Sequence, residues 1–275
     1  MIKHKILRAV ALCSVMLALV AGAAEPLGSS WADVTKLPDF FTGSWRGGIP
    51  VLDRPNNTPF TAQAQAYIDR YKPIQDIPFA GPRCPTPGMP IIQRIGTPFK
   101  FFYEPGMIAI SMEVGSMTRH IKLNAKHSER PNPSYLGESV GHFEGGTLVV
   151  DSVGFADDIL LQYGVLPGKG TGPNVEASEV IFGPHGPNLR MVERMRLIDA
   201  DTLEDRMTIF DDTIWKQPYV TNAGQKFKRI RGEAAWPIEW VCNSSDPVSF
   251  DTRQDKIVVE DPAAVLKRLE QSEKR

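Results

Sequence analysis

The chain has 275 residues, of which 42% are hydrophobic, and its 31 basic and 32 acidic side chains leave a formal net charge of −1. This balance gives no electrostatic basis for binding nucleic acid or an anionic membrane surface, and we exclude both as partners. The length and the hydrophobic content are sufficient for one β-rich domain with a complete core, which we predict over residues 25–275.

The N-terminus has the pattern of a secretory signal peptide. Basic residues precede an apolar run over residues 9–20, and the small residues at positions 21–24 are typical of a cleavage site. We predict that residues 1–24 are removed, which leaves a periplasmic or secreted protein with no integral membrane segment. An uncleaved membrane anchor is the alternative.

In the first part of the mature chain, the sequence predicts one strand and one helix. Residues 40–47 have a strand pattern with a Gly-x-Trp motif ending at Trp45, as in the opening strand of lipocalin-like barrels, and a plain core position is the alternative for Trp45. Apolar residues at helical spacing predict a helix over residues 61–72, which Pro73 ends. The proline-rich stretch 81–90 cannot be a central strand, so we expect it to cover one mouth of the fold.

Strand patterns dominate the remainder of the chain. Candidate strands lie at residues 99–103, 107–112, 117–123, 138–144, 147–154, 178–182, 189–198, 203–210, 226–231 and 238–242. Residues 155–174 have the composition of a long loop, and a short helix is predicted after Asp261. These elements predict a mainly β fold, either an antiparallel, lipocalin-like β-barrel or a strongly curved sheet, with a short helix before it and a C-terminal helix.

The most informative stretch is a predicted hairpin within residues 135–158. The Gly-Gly pair at positions 145–146 favours a two-residue turn between two strands, with Glu144 opposite Thr147. Because side chains alternate along a strand, this register fixes which side chains share a face of the hairpin.

Three ionisable side chains share one face of this hairpin, which we expect to point into the barrel: Glu138, His142 and Asp151. An imidazole beside carboxylates on a valine-lined face is suited to proton transfer at neutral pH. We predict His142 as the general acid or base, Asp151 as the group that orients it, and Glu138 or Arg119 as the group that polarises or anchors the substrate. The alternative is a structural network, in which the three side chains bond to one another or to Arg119.

Four further side chains are candidates for contact with a substrate or ligand: Arg119, His185, Glu193 and Trp45. Arg119 lies on a predicted strand, and its alternative role is to pair with a carboxylate. His185 is at a predicted turn. Glu193 points to the same side of its strand as apolar residues, so it needs a partner or a raised pKa, and a structural ion pair with Arg206 is the alternative.

Removal of the signal peptide leaves two cysteines, Cys84 and Cys242. In an oxidising compartment this pair predicts a disulfide that closes a long loop. A reactive thiol or a metal ligand is the alternative role for each cysteine.

The sequence contains no phosphate-binding loop and no His-Glu-x-x-His motif, so we predict no cofactor. We predict a protein that acts on a hydrophobic small molecule, a class that includes aromatic compounds. The predicted reaction is cofactor-independent proton chemistry of the isomerase, lyase or decarboxylase type. A non-catalytic, lipocalin-like binding protein for an apolar ligand is the alternative. A metal site built from His120, His142, His185 and carboxylates is a third option, although none of these histidines has the spacing of a local metal motif.

Several segments resemble a family of secreted proteins of proteobacteria and acidobacteria for which no common activity is established. The similar segments are RCPTPGMP, RHIKLN, YLGESVGHFEGGTLVVDSVGF, HGPNLRMVERMRLIDADTLE and WPIEWVCN, which together cover most of residues 81–243. Family members carry Asp at the position of Gly146, and they have a shorter connection before the position of His185. The resemblance implies secretion, the boundaries of the domain and the pairing of Cys84 with Cys242.

Overall fold

The computed structural model describes residues 25–47, 58–71, 88–94, 96–165, 180–220, 224–232, 236–239, 248–251 and 256–259. The predicted signal peptide, both cysteines of the mature chain and the predicted C-terminal helix lie outside these residues. The disulfide between Cys84 and Cys242 therefore stays a prediction. Among the helices that are described, none has the length and apolar character needed to cross a membrane.

The described part of the chain is mainly β. Its strands are β1 (Ser44–Gly47), β2 (Phe99–Glu104), β3 (Met107–Met112), β4 (Met117–Leu123), β5 (Glu138–Glu144), β6 (Thr147–Val153), β7 (Leu160–Val165), β8 (Val180–Pro184), β9 (Arg190–Asp199), β10 (Thr202–Phe210), β11 (Tyr219–Val220), β12 (Gln225–Ile230), β13 (Val248–Asp251) and β14 (Lys256–Val259). The predicted helix is confirmed as α1 (Ala62–Asp69), and 3-10 turns span Trp31–Thr35 and Val114–Ser116.

Nine strands form a closed barrel in the order β10-β12-β1-β2-β3-β4-β5-β6-β9, and β9 pairs back with β10. The prediction of a β-barrel is thus confirmed. All neighbouring pairs in the barrel are antiparallel except β4 and β5, which are parallel. The residues between these two strands return the chain to the end of the barrel at which β4 begins, as a parallel pair requires.

A separate two-stranded ribbon, β7 with β8, lies beside the barrel. The prediction of a loop throughout residues 155–174 is wrong, because Leu160–Val165 forms β7. Helix α1 packs on this ribbon: the Tyr67 hydroxyl donates to the carbonyl oxygen of Phe182 at 2.8 Å, and the Tyr71 hydroxyl donates to that of Val180 at 3.1 Å.

The barrel interior is a packed hydrophobic core. Period-two alternation along the strands directs Trp45, Phe99, Phe101 and Phe227 inwards, where each is at most 1% exposed. The rings of Phe99 and Phe227 meet edge to face, with centroids 4.9 Å apart. Trp45 therefore has the core position given above as its alternative role, and its indole N–H donates to the carbonyl oxygen of Phe40 at 2.8 Å.

An irregularity in the β9–β10 pairing decides which charged side chains enter this core. The register shifts between Thr202 and Leu203, so that Asp205 pairs with Met195 and Arg206 pairs with Arg194. A shift of one residue reverses the face of every following side chain. Asp205 consequently points into the barrel.

The aromatic layer supplies a test of the fold. We expect Phe99→Ala to lower the free energy of unfolding by about 3–5 kcal/mol, because it leaves a cavity in a closed core. Phe102→Ala on the same strand is the control: Phe102 is 42% exposed, and a loss within roughly 0.5 kcal/mol is expected. Urea denaturation measures both. Equal losses would contradict the inward placement of Phe99.

Candidate functional site

The β5–β6 hairpin has the predicted register, with Glu144 opposite Thr147 and His142 opposite Val149. Gly145 in the turn has a φ of 57°, a conformation that glycine adopts without steric cost. The face that carries His142 is, however, turned outwards. The His142 side chain is 52% exposed, and its Nε2 lies 3.1 Å from Glu144 Oε1.

The predicted inward placement of Glu138, His142 and Asp151 is therefore wrong. The inner face of the hairpin is formed by Leu148 and Val150, which are fully buried in the core. Both faces of the hairpin carry apolar residues, so hydrophobicity alone did not identify the inner one.

Two of these three predicted residues do converge on an imidazole, but it is that of His127. His127 Nδ1 lies 3.3 Å from Glu138 Oε1, and Nε2 lies 3.6 Å from Asp151 Oδ1. His127 was not predicted as a site residue because it lies in an irregular connection, where no periodicity indicates the direction of a side chain. The contacts of His127 with Glu138 and Asp151 hold the connection before β5 against the outer face of the hairpin.

Hydrogen bonds hold Glu138 in its ionised form. The backbone N–H and the hydroxyl of Ser128 each donate to the Glu138 carboxylate at 2.6 Å, and Lys122 donates at 3.2 Å. The Ser128 hydroxyl and N–H, followed by Lys122 and His127, lower the pKa of Glu138 to about 2. Asp151 is bound on the same face by two N–H groups of Arg190, at 2.9 and 2.7 Å.

A second set of polar side chains lies inside the barrel, and we call it the interior cluster. Its members are Gln93, Arg94, Arg119, Ser139, Ser152, Glu193 and Asp205, and every one of them is buried. Two of the predicted ligand-contact residues, Arg119 and Glu193, belong to it. The others come from β5, β6, β10 and the segment 88–94, whose first three residues belong to the stretch 81–90 that was predicted to cover one mouth of the fold.

Arg119 is the centre of the interior cluster. Its Nη2 donates to Glu193 Oε2 and, at 2.8 Å, to the Ser152 hydroxyl. Its Nε donates to the Ser139 hydroxyl at 3.1 Å, and its Nη1 donates to Gln93 Oε1 at 3.1 Å. The guanidinium of Arg119 on β4 is thereby linked to β5, β6, β9 and the segment 88–94.

The partner of Glu193 differs from the predicted one. The proposed ion pair between Glu193 and Arg206 is wrong, because the shifted β9–β10 register turns Arg206 outwards, where it bonds to Glu204 at 3.3 Å. The expectation that Glu193 requires a partner is met by Arg119.

A second buried ion pair joins the segment 88–94 to β10. Arg94 Nη2 donates to Asp205 Oδ2 at 2.6 Å, and both side chains are buried. Burial raises the pKa of Asp205 to about 6; Arg94 opposes this rise, and the nearby charge of Glu193 adds to it.

Ser139 is the central residue of GESVG at positions 137–141, which has the Gly-x-Ser-x-Gly spacing of a hydrolase nucleophile elbow. In such an elbow the serine stands on an exposed turn between a strand and a helix. Here Ser139 lies within β5, is 1% exposed, and has its hydroxyl oxygen 2.9 Å from that of Ser152. Its surroundings are those of a structural network.

A cleft of about 610 Å³ lies on the outside of the barrel where β4 meets β5, and we call it the seam cleft. The two strands are paired through only three residue pairs, from Ile121–Ser139 to Leu123–Gly141. Beyond these pairs the wall is formed by the irregular segment before β5. The side chains that characterise the cleft are Met117, His120, Lys122, Tyr135, Leu136 and Glu138.

The seam cleft combines apolar and polar groups. Tyr135 is anchored at its rim by a hydrogen bond from its hydroxyl to Asp158 Oδ2 at 2.9 Å. The exposed ring of His120 has no hydrogen-bond partner within the part of the chain that the structure describes. Arg119 and Ser139 form part of the cleft floor, while their side chains point into the interior cluster.

His185 lies outside both sites. Its Nδ1 is 2.7 Å from the carbonyl oxygen of Gly186, and its Nε2 is 2.9 Å from that of Ala156. Within the described ranges, no three His, Cys, Asp or Glu side chains come together as a metal ion would require.

The sequence matches no protein-family model, and no curated protein or solved structure matches the chain significantly. The resemblance to the secreted bacterial family accordingly stays a prediction.

Removing Arg119 tests the interior cluster. We expect Arg119→Met to lower the free energy of unfolding by about 3–5 kcal/mol, because the charge of Glu193 stays buried without its partner. The double variant with Glu193→Leu is expected to recover most of this loss. Arg190→Met is the control, since Arg190 is 46% exposed in its side chain and surface pairs contribute about 1 kcal/mol or less. Additive losses in the double variant would refute the pairing.

The raised pKa of Asp205 predicts a specific pH dependence. Because the folded protein holds this proton more tightly than the unfolded chain, the stabilisation is complete below the unfolded value of 3.8 and is lost as the pH rises through about 6. Relative to Asp205→Asn, we expect the wild-type free energy of unfolding to fall by about 3 kcal/mol between roughly pH 4 and 7. Urea denaturation at each pH measures it.

Glu204 provides the matched control for this experiment. Burial raises its pKa, but Arg196 and Arg206 outweigh burial and leave the pKa below its usual value. Its stabilising contribution is therefore present above the unfolded pKa and lost as the pH falls. The free energy of unfolding of the wild type, relative to that of Glu204→Gln, should therefore rise as the pH rises. A flat Asp205 difference would show that this carboxyl is not desolvated.

Proposed function

We propose that the protein binds a small, partly apolar molecule in the seam cleft. Aromatic molecules belong to this class. The observation that carries this proposal is the cleft itself: its volume of about 610 Å³ lies within the range of ligand sites. Its lining supports a molecule with an apolar body and a polar group. Leu136 and the ring of Tyr135 offer apolar contact, and His120 offers a hydrogen-bonding ring.

The packing of the barrel favours a site in its wall. Lipocalin-like proteins hold an apolar ligand in an open chamber inside the barrel. Here the inward side chains of Phe99, Phe101, Met191 and Met207 are each at most 1% exposed, and they pack into one core. The seam, where β4 and β5 are paired through only three residue pairs, offers the space that the interior lacks.

The electrostatics of the cleft favour binding over proton transfer. Of the three residues predicted to be catalytic, Glu138 is the one that lines the cleft, and its pKa of about 2 makes it a weak base at neutral pH. His142 is exposed elsewhere on the hairpin. With the predicted signal peptide, such binding would take place in the periplasm or outside the cell.

A ligand panel tests this proposal. We expect saturation-transfer NMR to detect binding of at least one of indole, 4-hydroxybenzoate and decanoate to the purified protein. His120→Trp, which fills the cleft, should weaken that binding by roughly tenfold or more. His142→Trp is the matched control, because it places the same ring at another exposed position of the barrel.

Three outcomes would count against the proposal. In the first, none of the three compounds binds. In the second, His120→Trp and His142→Trp weaken binding equally. In the third, the bound compound is recovered from the incubation as a product. The last outcome, detected by liquid chromatography, would replace binding by turnover.

A further inference from the structure

Four buried side-chain atoms of the interior cluster have no hydrogen-bond partner among the described residues. They are Gln93 Nε2, Arg94 Nε, Glu193 Oε1 and Asp205 Oδ1. Each of the four residues is at most 5% exposed. Buried polar atoms in folded proteins are nearly always paired, either with protein groups or with an enclosed molecule. Two donors and two acceptors thus require a partner.

These four atoms belong to groups that are adjacent in space. Glu193 pairs with Met207 across the ladder, so Asp205, two residues along, is its diagonal neighbour on the inner face. Gln93 and Arg94 are consecutive; Gln93 Oε1 accepts from Arg119, and Arg94 Nη2 donates to Asp205. The unpaired donors and acceptors therefore belong to neighbouring side chains in one region of the barrel interior.

The charge of the interior cluster restricts what can occupy this region. Two guanidinium groups face two carboxyl groups, so the cluster is balanced when both acids are ionised. A charged guest would need a counter-ion of its own in a buried site. A neutral guest must donate to a carboxylate oxygen of Glu193 or Asp205 and accept from an N–H group of Gln93 or Arg94. A hydroxyl group does both.

We propose that the interior cluster is a binding site for a neutral hydroxyl group, supplied either by water or by a small alcohol or polyol. The guest donates to Glu193 Oε1 or Asp205 Oδ1 and accepts from Arg94 Nε or Gln93 Nε2. This site is independent of the ligand proposed for the seam cleft, because its unpaired atoms lie on the inner side of the wall.

A crystal structure of the full-length wild-type chain at atomic resolution, near neutral pH, tests this site. The expected result is isolated density within hydrogen-bond distance of at least three of the four unpaired atoms. A second crystal soaked in ethylene glycol separates the two sources: spherical density in both crystals assigns water, and elongated density after soaking assigns a small polyol. A region without density, with Asp205 Oδ1 and Glu193 Oε1 in direct contact through a shared proton, would overturn the proposal.

A paired variant supplies an independent readout. Arg94→Met combined with Asp205→Leu removes one donor and one acceptor together with their charges, so neither partner is left alone. The long-lived water signal in magnetic relaxation dispersion of the protein solution, or the bound polyol, should then be lost. Glu204→Gln, on the outer face of the same strand, should leave that signal unchanged. If the paired variant does not fold, the density in the wild-type crystals decides alone, and a signal that survives the variant would refute the site.

Discussion

The buried ion pair between Arg119 and Glu193 is the constraint on which the rest of the barrel depends. Removing two charges from water is unfavourable, and attraction in a dry interior offsets this only when further hydrogen bonds satisfy the remaining polar atoms. Ser139, Ser152 and Gln93 supply those bonds to the guanidinium. Because these three partners and Glu193 come from different parts of the chain, all N–H groups of Arg119 that donate here have acceptors only when β5, β6, β9 and the segment 88–94 are in place. The pair therefore specifies one arrangement of the wall.

The same part of the wall explains why a cleft forms outside the barrel. A parallel neighbour for β4 requires a return connection, and this connection takes space where an antiparallel hairpin would have continued the ladder. The three residue pairs of β4 and β5 leave the wall to irregular backbone on one side, and the outer clamp of Ser128, His127 and Lys122 on Glu138 fixes that backbone. Arg119 joins the two strands from inside. Side chains on a wall that is fixed in this way are positioned more precisely than side chains on free loops.

Local rules predicted the local structure well. Gly145-Gly146 gave the hairpin register correctly, because a two-residue turn admits few alternatives, and helical spacing gave α1. The direction of the hairpin was not predictable in this way, since both of its faces carry apolar residues. The partner of Glu193 was mispredicted because a register shift of one residue between Thr202 and Leu203 exchanges the inner and outer faces of β10, and no residue type signals such a shift. Contacts from irregular segments, such as that of His127, depend on tertiary structure alone.

The closure of the barrel also has a consequence for how the chain reaches its native state. The first strand completes the ring with one of the last, and Ser44 pairs with Ile230 across nearly the whole length of the described barrel sequence. Contacts between such distant residues carry a large loop-closure entropy and make folding slow. A nascent chain cannot form this contact until β12 has been synthesised. Until this contact forms, the edge of β1 stays unpaired, and it is the surface that a holding chaperone would have to cover.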